Sequence, residues 1–384
     1  MRNVIVLGGG LVGSVIAEDL AREADLQVTV VDVDEAVLGV VSKRSGQRIR
    51  TVQSDLVDQA NVVSCCKQAD VVIDAVPGWL GFRVLSTLIS EKKSFVDIAF
   101  MPEDAGRLSK AAADAGVLGV VDCGVAPGMS NVLSARGVAD LEKAEELRIY
   151  VGGLPQVRRW PYEYTAVFSP IDVLEEYTRP ARLVENGKVV TRPALSEVEH
   201  LDFEGVGTLE AFNSDGLRSL ISLPVPDMKE KTMRYPGHTE LMRAIRETGL
   251  LSYEPLKVGD VELRPIDLTC KLLKRAWKLP EGEGDITVMR VKITGMSQGK
   301  RVSHVYDLLD RYDPATGHTS MARTTGFPCA IVARMMLQGT LDLPAGVHFP
   351  EKLATNRKVL DALLVQLAER NVVFHHRIVA EPAA

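Results

Sequence analysis

The first 32 residues of the chain constrain its fold more than any other stretch. An apolar run over residues 4–7 leads into a glycine-rich segment, and a second apolar run over residues 28–31 ends at Asp32. The glycines follow the spacing GxGxxG: Gly8, Gly10 and Gly13. This order predicts a strand, a tight turn, a helix, a second strand and an acidic residue, which is the pattern of a dinucleotide-binding βαβ unit.

Each glycine of this pattern has its own physical role. Gly8 allows the sharp turn, Gly10 lets the backbone approach a pyrophosphate, and Gly13 lets the helix pack on the strand. Leu11 and Val12 open the helix, whose first N–H groups lack partners within the helix and face the phosphates. These residues are therefore predicted to bind the cofactor.

Asp32 predicts which nucleotide binds. Its carboxylate, followed by Val33, lies at the end of the second strand and can accept hydrogen bonds from the adenosine ribose hydroxyls. With Asp34 close by and no Lys or Arg over residues 31–36, a 2′-phosphate meets repulsion, so NAD is favoured over NADP. Two alternatives stay open: Asp32 can instead cap the following helix, and Arg44, further along, leaves NADP possible.

Composition and charge narrow the class of protein. With 384 residues, 46% of them hydrophobic and 25% charged, we expect a cytoplasmic protein of two domains, without a signal peptide or membrane span. A net charge of −6 does not favour nucleic-acid binding. The odd, scattered cysteines without a CxxC motif indicate reduced thiols, and the dispersed histidines predict no metal site.

Beyond Asp32, short apolar strands continue to alternate with helical stretches. Further strands are predicted at residues 48–53, 70–75, 94–98 and 117–121. Six such strands predict an α/β fold with a Rossmann-type doubly wound parallel sheet, whose ligands bind at the carboxyl ends of the strands. Two of these ends add candidate cofactor residues: Ser54, Asp55 and Leu56, then Val76, Pro77 and Gly78. Asp55 can reach the adenine amino group or cap the next helix.

From about residue 145 the pattern changes to strands joined by turns. Strands are predicted at residues 147–151, 162–168, 181–190, 207–212, 286–293 and 301–309, with helices at residues 130–141 and 239–248. Near Gly326 the pattern becomes helical again. The prediction is a nucleotide domain of residues 1–128 and 325–384, with an inserted, sheet-rich α+β domain of residues 129–324.

The stretch DCGVAPGMSN, from Asp122 to Asn131, joins the two predicted domains. A helix that starts at the carboxyl edge of the sheet places backbone N–H groups beside the nicotinamide, where an anionic group can bind. Asp122 is therefore a candidate substrate contact. The alternative is a plain interdomain hinge.

Several motifs together carry a resemblance to a known family. They are GGGLVG, VDCGVAPGMSN, EAFNSDGLRSL, KTMRYPGHTELM, TTGFPCAIVARMMLQG and GVHFPEKL. With them the sequence resembles the saccharopine dehydrogenase-like family over nearly its whole length, and it looks most like the lysine-deaminating members. The resemblance implies NAD-dependent oxidative deamination of the ε-amino group of lysine to 2-aminoadipate 6-semialdehyde, which cyclises to piperideine-6-carboxylate, with release of ammonia. It also implies a homodimer or larger homo-oligomer.

That reaction requires a neutral amine, whereas a free lysine amine has a pKa of about 10.4. A base or a desolvating pocket must therefore remove a proton. Asp97, at the end of the fifth strand, and Cys123, at the end of the sixth, lie where such a group is needed. Strand-end capping or core packing is the alternative for each. His238 is a further candidate, since its unperturbed pKa suits a base at neutral pH.

The other end of lysine needs a cation for its carboxylate and an acceptor for its α-amine. Arg234 can hold the carboxylate in a bidentate pair, with Tyr235 and His238 as nearby donors. Asn213 and Asp215 can receive the amine. The alternatives are a structural salt bridge for Arg234 and a helix N-terminal position without a ligand for His238.

Two other functions stay open at this point. A saccharopine dehydrogenase or a carboxynorspermidine dehydrogenase-type enzyme uses the same hydride chemistry on a larger substrate, for which arginines at positions 158, 159, 179 or 182 can supply a second carboxylate site. An NAD-sensing regulatory protein would bind the nucleotide without turning it over. The long inserted domain argues against a sensor.

Overall fold

The computed structural model describes residues 1–166, 170–280 and 282–382. The chain divides into unit 1, formed by Met1–Ala135 and Ala322–Val373, and unit 2, formed by Arg136–Met321 and Phe374–Ala384. The helices of the described residues are α1 (Leu11–Leu20), α2 (Glu35–Arg44), α3 (Gln59–Cys66), α4 (Gly78–Ser90), α5 (Ser109–Ala115), α6 (Met129–Ala139), α7 (Pro170–Thr178), α8 (His238–Glu247), α9 (Pro265–Ala276), α10 (Ser320–Gln338) and α11 (Arg357–Ala368).

The strands of the described residues are, in chain order, β1 (Arg2–Leu7), β2 (Leu26–Asp32), β3 (Arg50–Gln53), β4 (Val71–Asp74), β5 (Phe95–Asp97), β6 (Leu118–Val120), β7 (Lys143–Pro155), β8 (Ala181–Glu185), β9 (Lys188–Arg192), β10 (Glu199–Phe203), β11 (Gly207–Asn213), β12 (Asp227–Arg234), β13 (Leu256–Val258), β14 (Val261–Leu263), β15 (Asp285–Ser297), β16 (Lys300–Arg311), β17 (Gly346–His348) and β18 (Phe374–Ala380). Every strand of the predicted nucleotide sheet is present.

Unit 1 contains a seven-stranded parallel sheet in the order β17-β6-β5-β4-β1-β2-β3. The strand order reverses between β1 and β4, which is where a doubly wound sheet binds its ligand. Apolar side chains of β1 and β4 are almost fully buried, since strands covered by helices on both faces bury both sets of side chains. The predicted Rossmann-type fold is confirmed, and β17 is a seventh strand that the sequence did not indicate.

Unit 2 is built on a nine-stranded mixed sheet with the path β10-β11-β12-β7-β15-β16-β18. The strands β8 and β9 form a hairpin that joins this sheet through β12. The pair of β12 with β7 is parallel, whereas β7 and β15 pair antiparallel along almost their whole length. This sheet-rich unit is the predicted α+β domain.

One predicted strand, at residues 162–168, is wrong over its described part. Residues 162–166 form no strand, and residues 167 and 168 lie outside the described residues. The backbone N–H of Ala166 donates to the carbonyl of Trp277, and the ring of Tyr164 packs edge-on against the Trp277 indole. The apolar residues that resembled a strand therefore pack against a helical segment and have no neighbouring strand.

The C-terminal tail also departs from the prediction. Residues 325–384 were expected to return to the nucleotide domain, but β18 pairs antiparallel with β16, from Val302 opposite Ala380 to Leu308 opposite Phe374. Residues from Phe374 onward therefore belong to unit 2. Strand pairing over such a sequence separation leaves no local signal in the sequence.

A buried ionic cluster ties the returning segment of unit 1 to its first helix. Asp19 of α1 is 1% exposed, and its carboxylate accepts hydrogen bonds from Arg334 Nη1 at 2.6 Å and from Arg370 Nε at 2.9 Å. Arg334 lies in α10, and Arg370 lies just beyond the end of α11. The cluster therefore holds residues distant in sequence in one unit.

Replacing Asp19 by Asn should destabilise unit 1. The change leaves two largely buried guanidinium groups without their shared carboxylate, which costs about 2–4 kcal/mol of unfolding free energy. Denaturant unfolding followed by circular dichroism measures the loss. Asp114→Asn is the matched control, because Asp114 pairs with Lys110 at an exposed site. Equal stabilities of the two variants would contradict the role of the cluster.

Candidate active site

The glycine turn after β1 is held by two close backbone approaches. Gly8 has a φ of 101°, and a Cβ added there would lie 2.4 Å from the carbonyl oxygen of Ala75. A Cβ on Gly13 would lie 2.0 Å from the carbonyl oxygen of Gly8. Both positions therefore require glycine, as predicted, because any side chain would push β1, α1 and the end of β4 apart.

Gly10 faces open space instead. No atom lies within 4 Å of a Cβ built at Gly10, and this residue begins α1 without a side-chain cap. The N–H groups of Leu11 and Val12, in the first helical turn, have no carbonyl partner within the helix. Leu11 is 55% exposed. An uncapped helix start beside a residue without a side chain fits a pyrophosphate.

Asp32 is fixed at the end of β2 by the glycine turn. Its Oδ2 accepts from the Gly9 N–H at 2.7 Å, and its Oδ1 accepts from the Asp34 N–H at 2.9 Å. The residue that caps α2 is Asp34, whose Oδ1 accepts from the Ala36 N–H. Asp32 is thus not the helix cap, and it is oriented next to the exposed Val33.

The ends of β3 and β4 carry the other predicted cofactor residues. The Ser54 N–H donates to the Asp32 carbonyl, and Asp55 is exposed, with its Oδ1 accepting from the Val57 N–H. Asp58 caps α3, so Asp55 does not. The neighbouring Leu56 is buried.

After β4, Val76 is buried and Pro77 is exposed just before α4. A Cβ on Gly78 would lie 2.3 Å from the carbonyl oxygen of Phe100, so this helix start also requires glycine. All the predicted cofactor residues therefore lie at the carboxyl edge of the unit 1 sheet. Their contacts with a nucleotide stay a prediction.

Two carboxyl groups lie side by side at the ends of β4 and β5. Asp74 and Asp97 are paired residues of adjacent parallel strands, and both are 0% exposed. Asp97 Oδ1 accepts from the Ala99 N–H at 3.0 Å, and its Oδ2 accepts from the Asp122 N–H at 3.4 Å. Burial raises the pKa of Asp74 to about 7. Burial and the adjacent Asp74 raise the pKa of Asp97 well above its usual range.

Asp122 and Cys123 follow β6 at the same edge. Asp122 adopts a left-handed backbone conformation with a φ of 53° and is 3% exposed. The Cys123 N–H donates to the carbonyl of Asp97. Burial and the carboxyls of Asp97 and Asp122 raise the pKa of the Cys123 thiol. Cys123 is thus held as a neutral thiol, which argues against its predicted role as a base.

The crossover after Cys123 is a tight turn that starts α6. A Cβ on Gly128 would lie 1.9 Å from the carbonyl oxygen of Gly124. Asn131 Oδ1 accepts from the Gly128 N–H at 3.1 Å, and its Nδ2 donates to Glu351. The side chain of Asn131 therefore holds the turn at the helix start.

In unit 2, Arg234 lies at the end of β12 and is 2% exposed. Its Nη2 donates to Glu176 Oε2 at 2.5 Å, its Nη1 donates to the Met233 carbonyl, and its Nε donates to the Tyr177 hydroxyl. The guanidinium also lies 4.5 Å from the ring centroid of Tyr164. This is the structural salt bridge that was the alternative, so Arg234 does not present a free cation to a substrate.

His238 opens α8 in the core of unit 2 and is 2% exposed. Its Nδ1 donates to the Tyr162 carbonyl at 2.9 Å, so its Nε2 accepts from the Tyr177 hydroxyl at 2.9 Å. Burial and the Arg234 cation lower the pKa of His238 to about 3. The predicted role as a base is therefore not supported, because both ring nitrogens are used within the protein.

The other predicted substrate contacts are also engaged internally. Asp215 accepts two guanidinium N–H groups of Arg182, at 2.8 and 2.9 Å. The Tyr235 hydroxyl donates to the Pro155 carbonyl. Asn213 is 0% exposed, and its Nδ2 donates to Ser196. The structure does not bring these side chains together as an open recognition site for an amino acid.

Two glutamates of unit 2, one partly and one almost fully buried, had no signal in the sequence. Glu176 of α7 pairs with Arg234, and Glu230 of β12 is 4% exposed, with no hydrogen-bond partner for its Oε2. A Cβ on Gly216 would lie 1.8 Å from Glu230 Oε1, so the carboxyl packs directly on that glycine. Burial and Glu176 raise the pKa of Glu230 to about 8.

The described residues contain no group of His, Cys, Asp or Glu that could hold a metal ion. All five cysteines are free thiols. No helix in the described part of the chain has the length and apolar character needed to cross a membrane.

The parallel sheet, its glycine turn and the uncapped start of α1 define a dinucleotide-binding domain. The sequence profile described as "Saccharopine dehydrogenase NADP binding domain" matches residues 4–120, and that described as "Saccharopine dehydrogenase C-terminal domain" matches residues 124–373. The chain belongs to the saccharopine dehydrogenase family, and the resemblance seen in its motifs is confirmed.

Known proteins match over almost the whole chain. Saccharopine dehydrogenase (NADP(+), L-glutamate-forming) of Schizosaccharomyces pombe is 22% identical over 99% of this chain and 100% of its own length. Carboxynorspermidine synthase of Vibrio alginolyticus is 23% identical over 88% and 89%. The structure of apo saccharopine dehydrogenase (L-Glu forming) from Saccharomyces cerevisiae aligns with a TM-score of 0.82 at 20% identity, covering 99% and 100%. That likeness shows a common fold.

Replacing Glu230 by Gln should change how stability depends on pH. In the folded protein Glu230 keeps its proton up to about pH 8, whereas the unfolded chain releases it near pH 4.5. Stability of the unmodified protein therefore falls as pH rises between these values, and Gln removes this loss. From about pH 5.5 to pH 7.5, the free energy of unfolding should therefore fall by about 1–3 kcal/mol less in the variant than in the unmodified protein. Identical pH dependence by chemical denaturation would contradict the raised pKa.

Proposed function

We propose that the protein is an NAD-dependent dehydrogenase that removes the ε-amino group of lysine, the activity of an L-lysine 6-dehydrogenase. The product is 2-aminoadipate 6-semialdehyde, which cyclises to piperideine-6-carboxylate. The observation that carries this proposal is the group of buried carboxyls at the ends of β4 and β5 and after β6: Asp74, Asp97 and Asp122. They belong to the same sheet edge as the cofactor turn.

The overall reaction defines what the protein must supply. A lysine ammonium, NAD⁺ and water give an aldehyde, the reduced nucleotide, an ammonium ion and one proton. The bound nucleotide supplies the acceptor for one hydride. The residues of the chain must therefore take a proton from the amine before hydride leaves, and must activate water for hydrolysis of the imine.

The buried carboxyls suit the first of these tasks. A carboxyl with an ordinary pKa is a poor base for an amine whose pKa is about 10.4. Burial raises the pKa of Asp74 to about 7 and that of Asp97 well above its usual range, so the difference from the amine becomes much smaller. We assign proton transfer to Asp97 and contact with the amine to Asp122, whose N–H donates to the Asp97 carboxyl.

A larger substrate with a second carboxylate is the other candidate, since relatives are named for saccharopine and carboxynorspermidine. The arginines considered for such a site are already paired: Arg158 with Glu163, Arg159 with Glu283, Arg179 with Glu175 and Arg182 with Asp215. This pairing favours the smaller substrate. The family resemblance also implies a homodimer or larger homo-oligomer, and the scattered, unpaired cysteines favour a cytoplasmic location.

The preference for NAD rests on the end of β2, although the matching family domain and several relatives are named for NADP. Asp32 is held in place by the Gly9 N–H, and Asp34 caps α2 beside it. Arg44, the cation that left NADP open, lies 3.0 Å from Glu18 in an ion pair. A 2′-phosphate at this position would therefore meet carboxylates.

The activity is tested by following the absorbance of the reduced nucleotide with lysine, and separately with saccharopine, in the presence of NAD. We expect reduction with lysine together with release of ammonia. Asp97→Asn should lower kcat by about 100-fold or more, as expected for loss of a general base. The control Asp114→Asn should retain full activity. Reduction with saccharopine and none with lysine would refute the proposed substrate.

The cofactor preference is tested by Asp32→Asn. Asn keeps an acceptor for the Gly9 N–H but removes the negative charge, so the ratio of kcat/KM for NAD to that for NADP should fall by about 10- to 100-fold. Asp34→Asn, which keeps the helix cap, is the matched control and should change the ratio much less. An unchanged ratio in Asp32→Asn would show that another residue selects the nucleotide.

A further inference from the structure

The carboxyl group of Asp74 has an unusual environment for a buried acid. Both of its oxygens are buried without a hydrogen bond of ordinary geometry, and the side chain is 0% exposed. The helix α4 packs closely above it, since a Cβ on Gly81 would lie 3.7 Å from Asp74 Oδ2 and 2.8 Å from the Cβ of Ala99. Neither Asp74 nor its neighbour Asp97 forms an ion pair in the part of the chain that the structure describes.

The pairing of the strands places these two carboxyls together. Asp74 is in register with Asp97 across the parallel pair of β4 and β5. Neighbouring strands lie about 4.8 Å apart, and paired residues project to the same face of the sheet. Two carboxylates at this separation, both fully buried and without an ion pair to a described cation, repel each other strongly, so the pair retains a proton.

The titratable groups that face the pair add no positive charge. They are Asp122 and Cys123 after β6, Cys329 on α10 and Cys66 on α3. Each of these groups is neutral or negative, so ionisation of any of them would strengthen the need for a proton on the pair. Burial raises the pKa of the Cys66 thiol to about 12, which keeps that group neutral.

We infer that Asp74 and Asp97 share one proton, and that Asp74 is a positioning residue which sets the protonation of Asp97. Asp97 is oriented by the N–H groups of Ala99 and Asp122, whereas Asp74 interacts with the Val76 N–H and with Asp97 itself. The singly protonated pair accepts a second proton from the substrate ammonium: the amine N–H bond breaks, a carboxyl O–H bond forms, and the nitrogen keeps its electron pair. This catalytic part rests on the proposed function, whereas the shared proton does not.

Infrared spectroscopy detects the shared proton without substrate or nucleotide. A protonated carboxyl gives a carbonyl stretch that shifts in D₂O. The measurement uses Glu230→Gln protein, because Glu230 itself keeps a proton up to about pH 8 and would add its own band. We expect the band of the pair in this protein at neutral pH. Adding Asp74→Asn should abolish it, because Asp97 then has no partner with which to share a proton, and the N–H groups of Ala99 and Asp122 stabilise its carboxylate. A band that persists in the double variant would overturn the inference.

The dependence of kcat/KM on pH tests the role in catalysis. In Asp74→Asn the pKa of the acidic limb should move up by about one unit or more, because the shared proton that stabilises the Asp97 carboxylate against a second proton is lost, whereas a purely structural loss would lower activity equally at every pH. The control Asp114→Asn should leave the limb in place. An unmoved limb would refute the positioning role.

Two results remain decisive if Asp74→Asn does not fold or lysine is not the substrate. The infrared band of the pair must still appear in the Glu230→Gln protein at neutral pH, and its absence there would refute the shared proton. If the band is present but lysine is not oxidised, the proposed substrate is refuted, whereas the inference that Asp74 and Asp97 share a proton stands.

Discussion

The close approach of Gly8 to the carbonyl of Ala75 is the contact on which unit 1 depends most. It leaves no room for a Cβ, and the packing of Gly13 on the Gly8 carbonyl extends the same constraint into α1. Ala75 directly follows Asp74. The contact that shapes the nucleotide turn thus also fixes where β4 ends, and with it the position of the buried carboxyl pair. The predicted cofactor turn and the carboxyl pair proposed for acid–base chemistry therefore share one backbone arrangement.

Charge is distributed differently in the two units. In unit 2 the arginine at the end of β12 is satisfied by Glu176 and Tyr177 of α7, and Asp215 by Arg182. Loss of Glu176 is costly because the buried Arg234 charge cannot then reach water, whereas the Arg182 side chain is 46% exposed. In unit 1, by contrast, Asp74 and Asp97 have no cation to compensate them. Acids whose pKa values are strongly shifted by burial and by a neighbouring acid are typical of catalytic sites.

The sequence predicted the structures that neighbouring residues form. It failed where contacts between residues far apart in the sequence determine the structure. The βαβ unit was predictable because its strand, turn and helix are adjacent, and the spacing of the glycines has one physical explanation. The motif RYPGH resembled a recognition site because Arg234 and His238 are polar, yet both are buried against α7, which the sequence pattern did not reveal. The strand β18 and the pairing of Asp74 with Asp97 depend on strand register, for which no local pattern exists.

The account as a whole predicts hydride transfer from the ε-carbon of lysine at the edge of the unit 1 sheet. The most direct test uses lysine that carries two deuterium atoms on the ε-carbon, with NAD as the acceptor, followed by mass spectrometry of the nucleotide. The account predicts reduced nucleotide that is heavier by one deuterium, with the second deuterium retained in the cyclised product. Reduced nucleotide without deuterium, or no reduction at all, would contradict it.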